Sequence, residues 1–299
     1  MYKCITTLII NLLYYMHIPS IVHKCKITIA SINQNGILAA YSINKEAKMT
    51  KRKLLTIGNA KTTKGEKLGI LTGILYFAPA MISGRQVCPK ASDGCKAACL
   101  YTAGRGRFTK TQEARIAKTK LFFDDRKLFM SLLVDNVSAI VRKAERESLQ
   151  PAIRLNGTSD IAWEKISVMF NGERYRNIMS AFPNVQFYDY TKISGRKAAL
   201  ALDNYHLTFS LSENNDNEAF EALKQGYNLA VVMDLKRNDP KPTLWAGYPV
   251  VDGDLSDVRF LDPARGHIVA LSAKGDAKKD TTCFVRTSNV QINIIFKAA

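Results

Sequence analysis

The chain has 299 residues, 46% of them hydrophobic, enough to bury a substantial core in one large domain or two small ones, which excludes disorder for most of its length. Its formal charge of +17 exceeds what solubility requires and points to a polyanionic partner, a nucleotide, nucleic acid or anionic surface, against the plainer reading of a generally basic globule. Six cysteines, at 4, 25, 88, 95, 99 and 283, are too few and too unevenly placed for a disulfide scaffold, so a reducing, cytoplasmic compartment is expected.

Residues 7–22, TLIINLLYYMHIPSIV, are apolar but interrupted by Asn11, His17 and Pro19. They fall short of the ~20 residues of a membrane span, and no small-residue cleavage site follows cleanly. Met49 then opens MTKRKLLTIGNAKTTKGEKLG, which reads as an ordinary start. The expectation is an N-terminal extension over 1–48, lying outside the native protein if translation begins at Met49, and a single α/β domain over 49–299 with no membrane association. The extension holds five Lys and one Glu, so the remainder keeps 38 basic and 25 acidic residues, a net +13. The basic character belongs to the domain.

From Gly69 short apolar runs alternate with helix-like stretches, without repeats or low-complexity linkers, which is an α/β pattern. The first run is GILTGILYFAPA, residues 69–80, and the cysteine loop follows it directly. Residues 109–147 carry Leu121, Phe122, Leu128, Phe129, Leu132, Leu133, Val137, Ile140 and Val141 at helical spacing, as one helix or as two broken near Asp124. A strand over 152–155 ends in a polar loop, and IAWEKISVMF reads as amphipathic. Further strands are expected over 185–190, 205–213, 227–234, 248–254 and 266–275. A helix between Glu213 and Tyr227 is capped by NND and stopped by Gly226. Strand ends recur at the spacing of βαβ units. Several carry polar clusters, at 156–160, 189–192, 210–213 and 272–274, and polar residues recurring at the carboxyl ends of parallel strands point to one shared site.

The stretch CPKASDGCKAACLYTAGRGR, residues 88–107, spaces Cys88, Cys95 and Cys99 as C-x6-C-x3-C. Thiolates this close in sequence can converge on one ion or cluster, and CKAAC on a helical turn would set two of them on one face. A zinc site would need a fourth ligand, with Cys283, His206 and His267 as candidates. A [4Fe-4S] cluster on three thiolates would leave one iron open. Buried apolar cysteines without any metal are the remaining reading.

Three cysteines directly after the first strand, an aromatic (Tyr101) soon after the last of them, and about six βα units resemble the radical S-adenosylmethionine (SAM) superfamily. That resemblance implies a partial (βα)6-type barrel with parallel strands, a [4Fe-4S] cluster on Cys88, Cys95 and Cys99, and SAM on the open iron. The chain departs from the superfamily's C-x3-C-x2-C spacing, so the likeness rests on topology. It further implies that NGTSD (Asn156, Gly157, Thr158, Ser159, Asp160) meets the amino group of SAM, where a βα turn with Ser159 or Asp160 as a helix N-cap is the plainer use of the same residues. Ser210, Ser212 and Glu213 of SLSE would meet ribose hydroxyls or a carboxylate, or simply cap. Over about residues 70–275 the chain more closely resembles the tailed-phage gene product eighty-eight family, through CPKASDGCKAACLYTAGRG, IRLNGTSDIAWE, VQFYDYTK and YHLTFSLSE. That family brings no reaction with it, and places the protein in the cytoplasm of a phage host.

YTAGRGRFTKTQEAR joins two glycines to Arg105, Arg107, Lys110 and Arg115, suited to phosphate oxygens or to a charged helix face, and it lacks a Walker frame. FYDYTKISGRK sets Asp189 and Lys192, the candidate catalytic pair, at a strand end among aromatics that can stack a base. Strand alternation turns Phe187 and Asp189 to one side and Tyr188 and Tyr190 to the other. Asp252, Asp254, Asp257 and Asp262 lack the rest of a calcium loop and read as turn chemistry, and Lys274 as a strand-end lysine. No Ser-His-Asp or HExxH arrangement is present. The leading expectation is a radical-SAM-like iron-sulfur enzyme acting on a nucleotide or nucleic acid. The alternatives are a zinc-stabilised nucleic-acid-binding protein without catalysis, and a non-radical base-modifying barrel enzyme with Asp189 or Asp160 as nucleophile.

Overall fold

The computed structural model describes residues 52–59, 62–236 and 238–288, and the expected extension over 1–48 lies outside them. Nine strands form one sheet in the order β1 (Leu55–Thr56), β2 (Ile70–Leu75), β3 (Gln150–Arg154), β6 (Gln186–Thr191), β7 (Tyr205–Ser210), β8 (Asn228–Met233), β11 (Ile268–Ser272), β10 (Tyr248–Asp252), β9 (Leu244–Trp245). Every pairing from β2 to β10 is parallel, and the short β1 and β9 close the two edges antiparallel. A separate hairpin joins β4 (Val168–Phe170) to β5 (Glu173–Tyr175).

The strands β2, β3, β6, β7, β8 and β11 are neighbours in the order in which they occur in the chain. Parallel crossovers are right-handed, so steps taken always in one direction leave their connections on one face. Of the parallel steps only that from β10 back to β11 reverses the direction, and no pairing among the described residues joins the two edges, so the sheet does not close into a barrel. The connecting face buries Leu71, Ile153, Phe187, Leu207, Phe209, Leu229 and Val231 against helices, chiefly α4 (Arg126–Arg146) through Phe129, Leu133, Val137 and Ile140. On the opposite face the segment after β10 folds back, and its Val258 and Phe260 cover Ile70, Ala152 and Tyr188. Both faces are therefore dry, which is why β2 is an unbroken apolar run rather than an alternating one.

The expected long helix is two, α3 (Thr109–Asp124) and α4, divided at Asp125, whose carboxylate caps α4 by accepting from the Leu128 amide. IAWEKISVMF departs from its amphipathic reading. It forms a helical turn at Trp163–Lys165 and then β4, because Trp163 is consumed by a core of Phe77, Phe122 and Phe129.

Candidate functional site

The carboxyl ends of β2, β3, β6 and β7 gather the residues that the sequence marks out, and each loop is tied to its neighbour. The cysteine loop follows β2. Within it Ser92 caps the short helix α2 (Asp93–Ala97), its hydroxyl accepting from the Cys95 amide. Glu213, just past β7, straps this helix across the strand ends, accepting from Ser92 Oγ at 2.6 Å and from the Gly94 amide at 2.7 Å. Both carboxylate oxygens of Glu213 are thus engaged. A side chain at position 94 would strike Thr282 and the Glu213 carboxylate, so only glycine fits under the strap.

The loop after β3 is hydrogen-bonded onto the cysteine loop at several points. The Gly157 amide donates to the Leu75 carbonyl, Thr158 Oγ1 to the Phe77 carbonyl and the Asp160 amide to the Val87 carbonyl. Asn156 is spent on holding the loop: Oδ1 accepts from Ser159 Oγ, the Ile161 amide and Trp163 Nε1, and Nδ2 donates to the Ile161 carbonyl. Asp160 Oδ2 accepts from the Lys192 amide at 2.8 Å, while Oδ1 is buried without a hydrogen-bond partner, 3.8 Å from Arg196 Nη1. Burial raises the Asp160 carboxyl above its ordinary range.

The three cysteines are free and partly buried. Cys88 Sγ accepts from the Ala80 amide and lies 3.7 Å from the Thr158 carbonyl. Burial pushes the Cys88 thiol up to about 12, with the charges of Cys99 and Cys95 adding to the rise. Burial also raises Cys99, again with Cys95 adding, while Arg115 and Lys192 oppose it. Among the described residues no three His, Cys, Asp or Glu side chains meet at a point suited to a single metal ion. Both histidines offered as a fourth ligand sit at the other end of the sheet, His206 at the start of β7 and His267 just before β11. Cys283 is better placed, since the next residue, Phe284, packs with Ala98 and Cys95.

Asp189 and Lys192 are separated by the strand's alternation. Asp189 is fully buried on the helix-packed face of β6, accepting from the Asn156 amide at 2.6 Å and from Tyr205 Oη at 2.9 Å. Lys192 lies beyond the strand end, its ammonium 5.8 Å from the Phe284 ring. Ser210 ends β7 and Ser212 lies in the turn after it, where the Asn215 side chain bonds the Ser212 amide and the Ser210 carbonyl. Sequence reasoning missed the pair Arg196–Glu164, fully buried behind Asp160, and the pair Arg154–Asp257, 2.8 Å apart under the β10–β11 segment. The aspartates of 252–254 form a turn as expected. Asp254 additionally gathers Lys274 at 2.6 Å and Lys241 at 3.3 Å, so Lys274 is ion-paired.

A family model described as Gene product 88 matches residues 49–287. The chain belongs to that family. It is a family of phage gene products, and the stretches quoted from the sequence as carrying the resemblance all fall inside the matched span. No curated protein and no solved structure matches. Among the described residues of this Gene product 88 member, no helix is long and apolar enough to cross a membrane.

Proposed function

We propose that Cys88, Cys95 and Cys99 hold an iron-sulfur cluster at the carboxyl ends of a partial barrel, and that the protein is a radical-SAM-like enzyme working in a reducing cytoplasm on a nucleotide or nucleic acid. The observation that carries this reading is the set of three free, partly buried thiols, placed by the loop after the first of six parallel strands that follow one another in chain order. In a cluster each thiolate would bind its own iron, so three sulfurs would have to surround a volume rather than meet at the common point that a single ion needs and that no three of the described side chains offer. Bound there, a cluster with one open iron would supply an electron to SAM. The chain's own residues prepare the place. Glu213 and Ser92 fix the helix bearing Cys95, and the loop after β3 fixes Cys88. Asp160 Oδ1 is the acceptor left available to an ammonium group. Burial raises the Cys88 and Cys99 thiols, so these two keep their protons at neutral pH until a metal displaces them. Protein purified without oxygen should be brown and contain iron and acid-labile sulfide, lost together in Cys95→Ala, and its spectrum should change on adding SAM. A colourless protein without sulfide would sink the reading. The packing of Phe284 beside Cys95 favours one second reading, a structural zinc closed by Cys283. Stoichiometric zinc without iron, lost in Cys283→Ser, would select it.

A further inference from the structure

Residues 79–127, from the cysteine loop through the helix after it to the first turn of α4, hold eleven Lys and Arg against four Asp and Glu, a net +7 and more than half the surplus of 49–299. Most of these basic residues are exposed. Arg115 on α3 is not: it is 8% exposed. Its guanidinium carbon lies over the rings of Tyr76, at 4.9 Å, and Tyr101, at 5.4 Å. Nε and Nη1 are buried without a hydrogen-bond partner, and Arg115 forms no ion pair among the described residues. Ring faces stabilise the charge of a guanidinium but do not accept its in-plane N–H donors, so a buried cation left with unmet donors is destabilising. Its neighbour one turn on, Lys118, is half-buried and donates to the Leu54 carbonyl at 3.0 Å, and desolvation together with the charge of Arg115 brings it down to about 8. No carboxylate compensates either residue.

We infer that Arg115 is the seat of a phosphate group of the ligand, held beside Cys99 between Tyr76 and Tyr101. The two unmet donors lie on the two edges that meet at Nη2, and an oxyanion placed on either edge of the planar fork would be bound bidentately. The surplus charge of the surrounding lobe favours a phosphate over a singly charged carboxylate. Of the four basic residues in YTAGRGRFTKTQEAR, Arg115 is the buried one: Arg105 and Lys110 are exposed, and Arg107 is engaged with Asp276. The inference does not depend on which centre the cysteines hold, so its test reads binding rather than turnover. Calorimetric titration of the full-length protein with inorganic phosphate, with deoxyadenosine 5′-monophosphate and with an oligothymidylate separates a free phosphate, a nucleotide and a nucleic acid as the source. The strongest of the three should weaken about tenfold or more in Arg115→Gln, as the loss of a charge-assisted hydrogen-bonded pair requires. It should weaken less in Arg115→Lys, which keeps stem and charge and guards against misfolding, and stay within about twofold in Arg146→Gln, an exposed control on α4. Absence of binding by all three, undiminished binding in Arg115→Gln, or acetate binding as tightly as phosphate would each overturn it.

Discussion

Asp189 holds its proton far above the ordinary range because burial on the helix face of β6 pushes it up to about 7, against the lowering effect of the Asn156 amide, Arg154 and Tyr205. In the unfolded chain the same carboxyl ionises near its ordinary value of 3.8. Between those two values the folded state binds more protons. The stability from this group is therefore full below the unfolded value and is lost as pH rises through about 7. Asp189→Asn keeps the shape without the titration, so its urea midpoint relative to wild type should be higher at pH 7.5 than at pH 4.5. An offset that does not change with pH would refute the burial argument. Gly157 is a second residue with a sharp consequence. A Cβ there would lie 2.6 Å from the Leu75 carbonyl oxygen, 2.7 Å from the Tyr76 ring and 2.8 Å from Ile74. Gly157→Ala should cost about 1–3 kcal/mol in denaturant unfolding, as overpacking does. Asp257→Asn should cost more, roughly 3–5 kcal/mol, because it strips the buried Arg154 of its counter-charge.

At the level of elements, the strap from Glu213 to α2 is the contact that sets the position of Cys95. Glu213→Ala should speed amide hydrogen exchange through residues 92–99 while lowering global stability by only about 1–2 kcal/mol, the range of a lost N-cap. Unchanged exchange would mean that the loop is held by its other bonds. The parallel strands were legible because buried strands are written as Ile, Leu and Val runs bounded by turns, and each expected run overlaps an observed strand. The hairpin of β4 and β5 was missed although Asn171–Gly172, both at positive φ, carries the usual two-residue turn signal. Its apolar residues fit helical and strand periods equally well over so short a span. That the strand-end clusters lie side by side was readable, since alternating units bring their carboxyl ends together. The division of labour within them was not. That Glu213 straps, Asn156 holds its own loop and Asp189 faces away depends on contacts with partners 33 to 121 residues distant or on a local turn that no spacing encodes.

For the whole molecule, the charge map predicts a salt-sensitive partner. If nucleic acid lies on the basic lobe over 79–127, the logarithm of its affinity should fall linearly with the logarithm of salt concentration, with a slope of several units, and neutralising Lys90 and Lys110 together should make that slope shallower. A flat salt response would remove nucleic acid from consideration. The order of the sheet also bears on assembly. Because each parallel strand from β2 to β8 is laid beside the one made just before it, and β11 completes the run, synthesis on the ribosome builds the sheet outward from the edge that bears the thiols. The wall formed by Ala273, Ala277 and Phe284 is translated after every strand of the sheet, so Cys95 is uncovered on that side until residues 273–284 have been made.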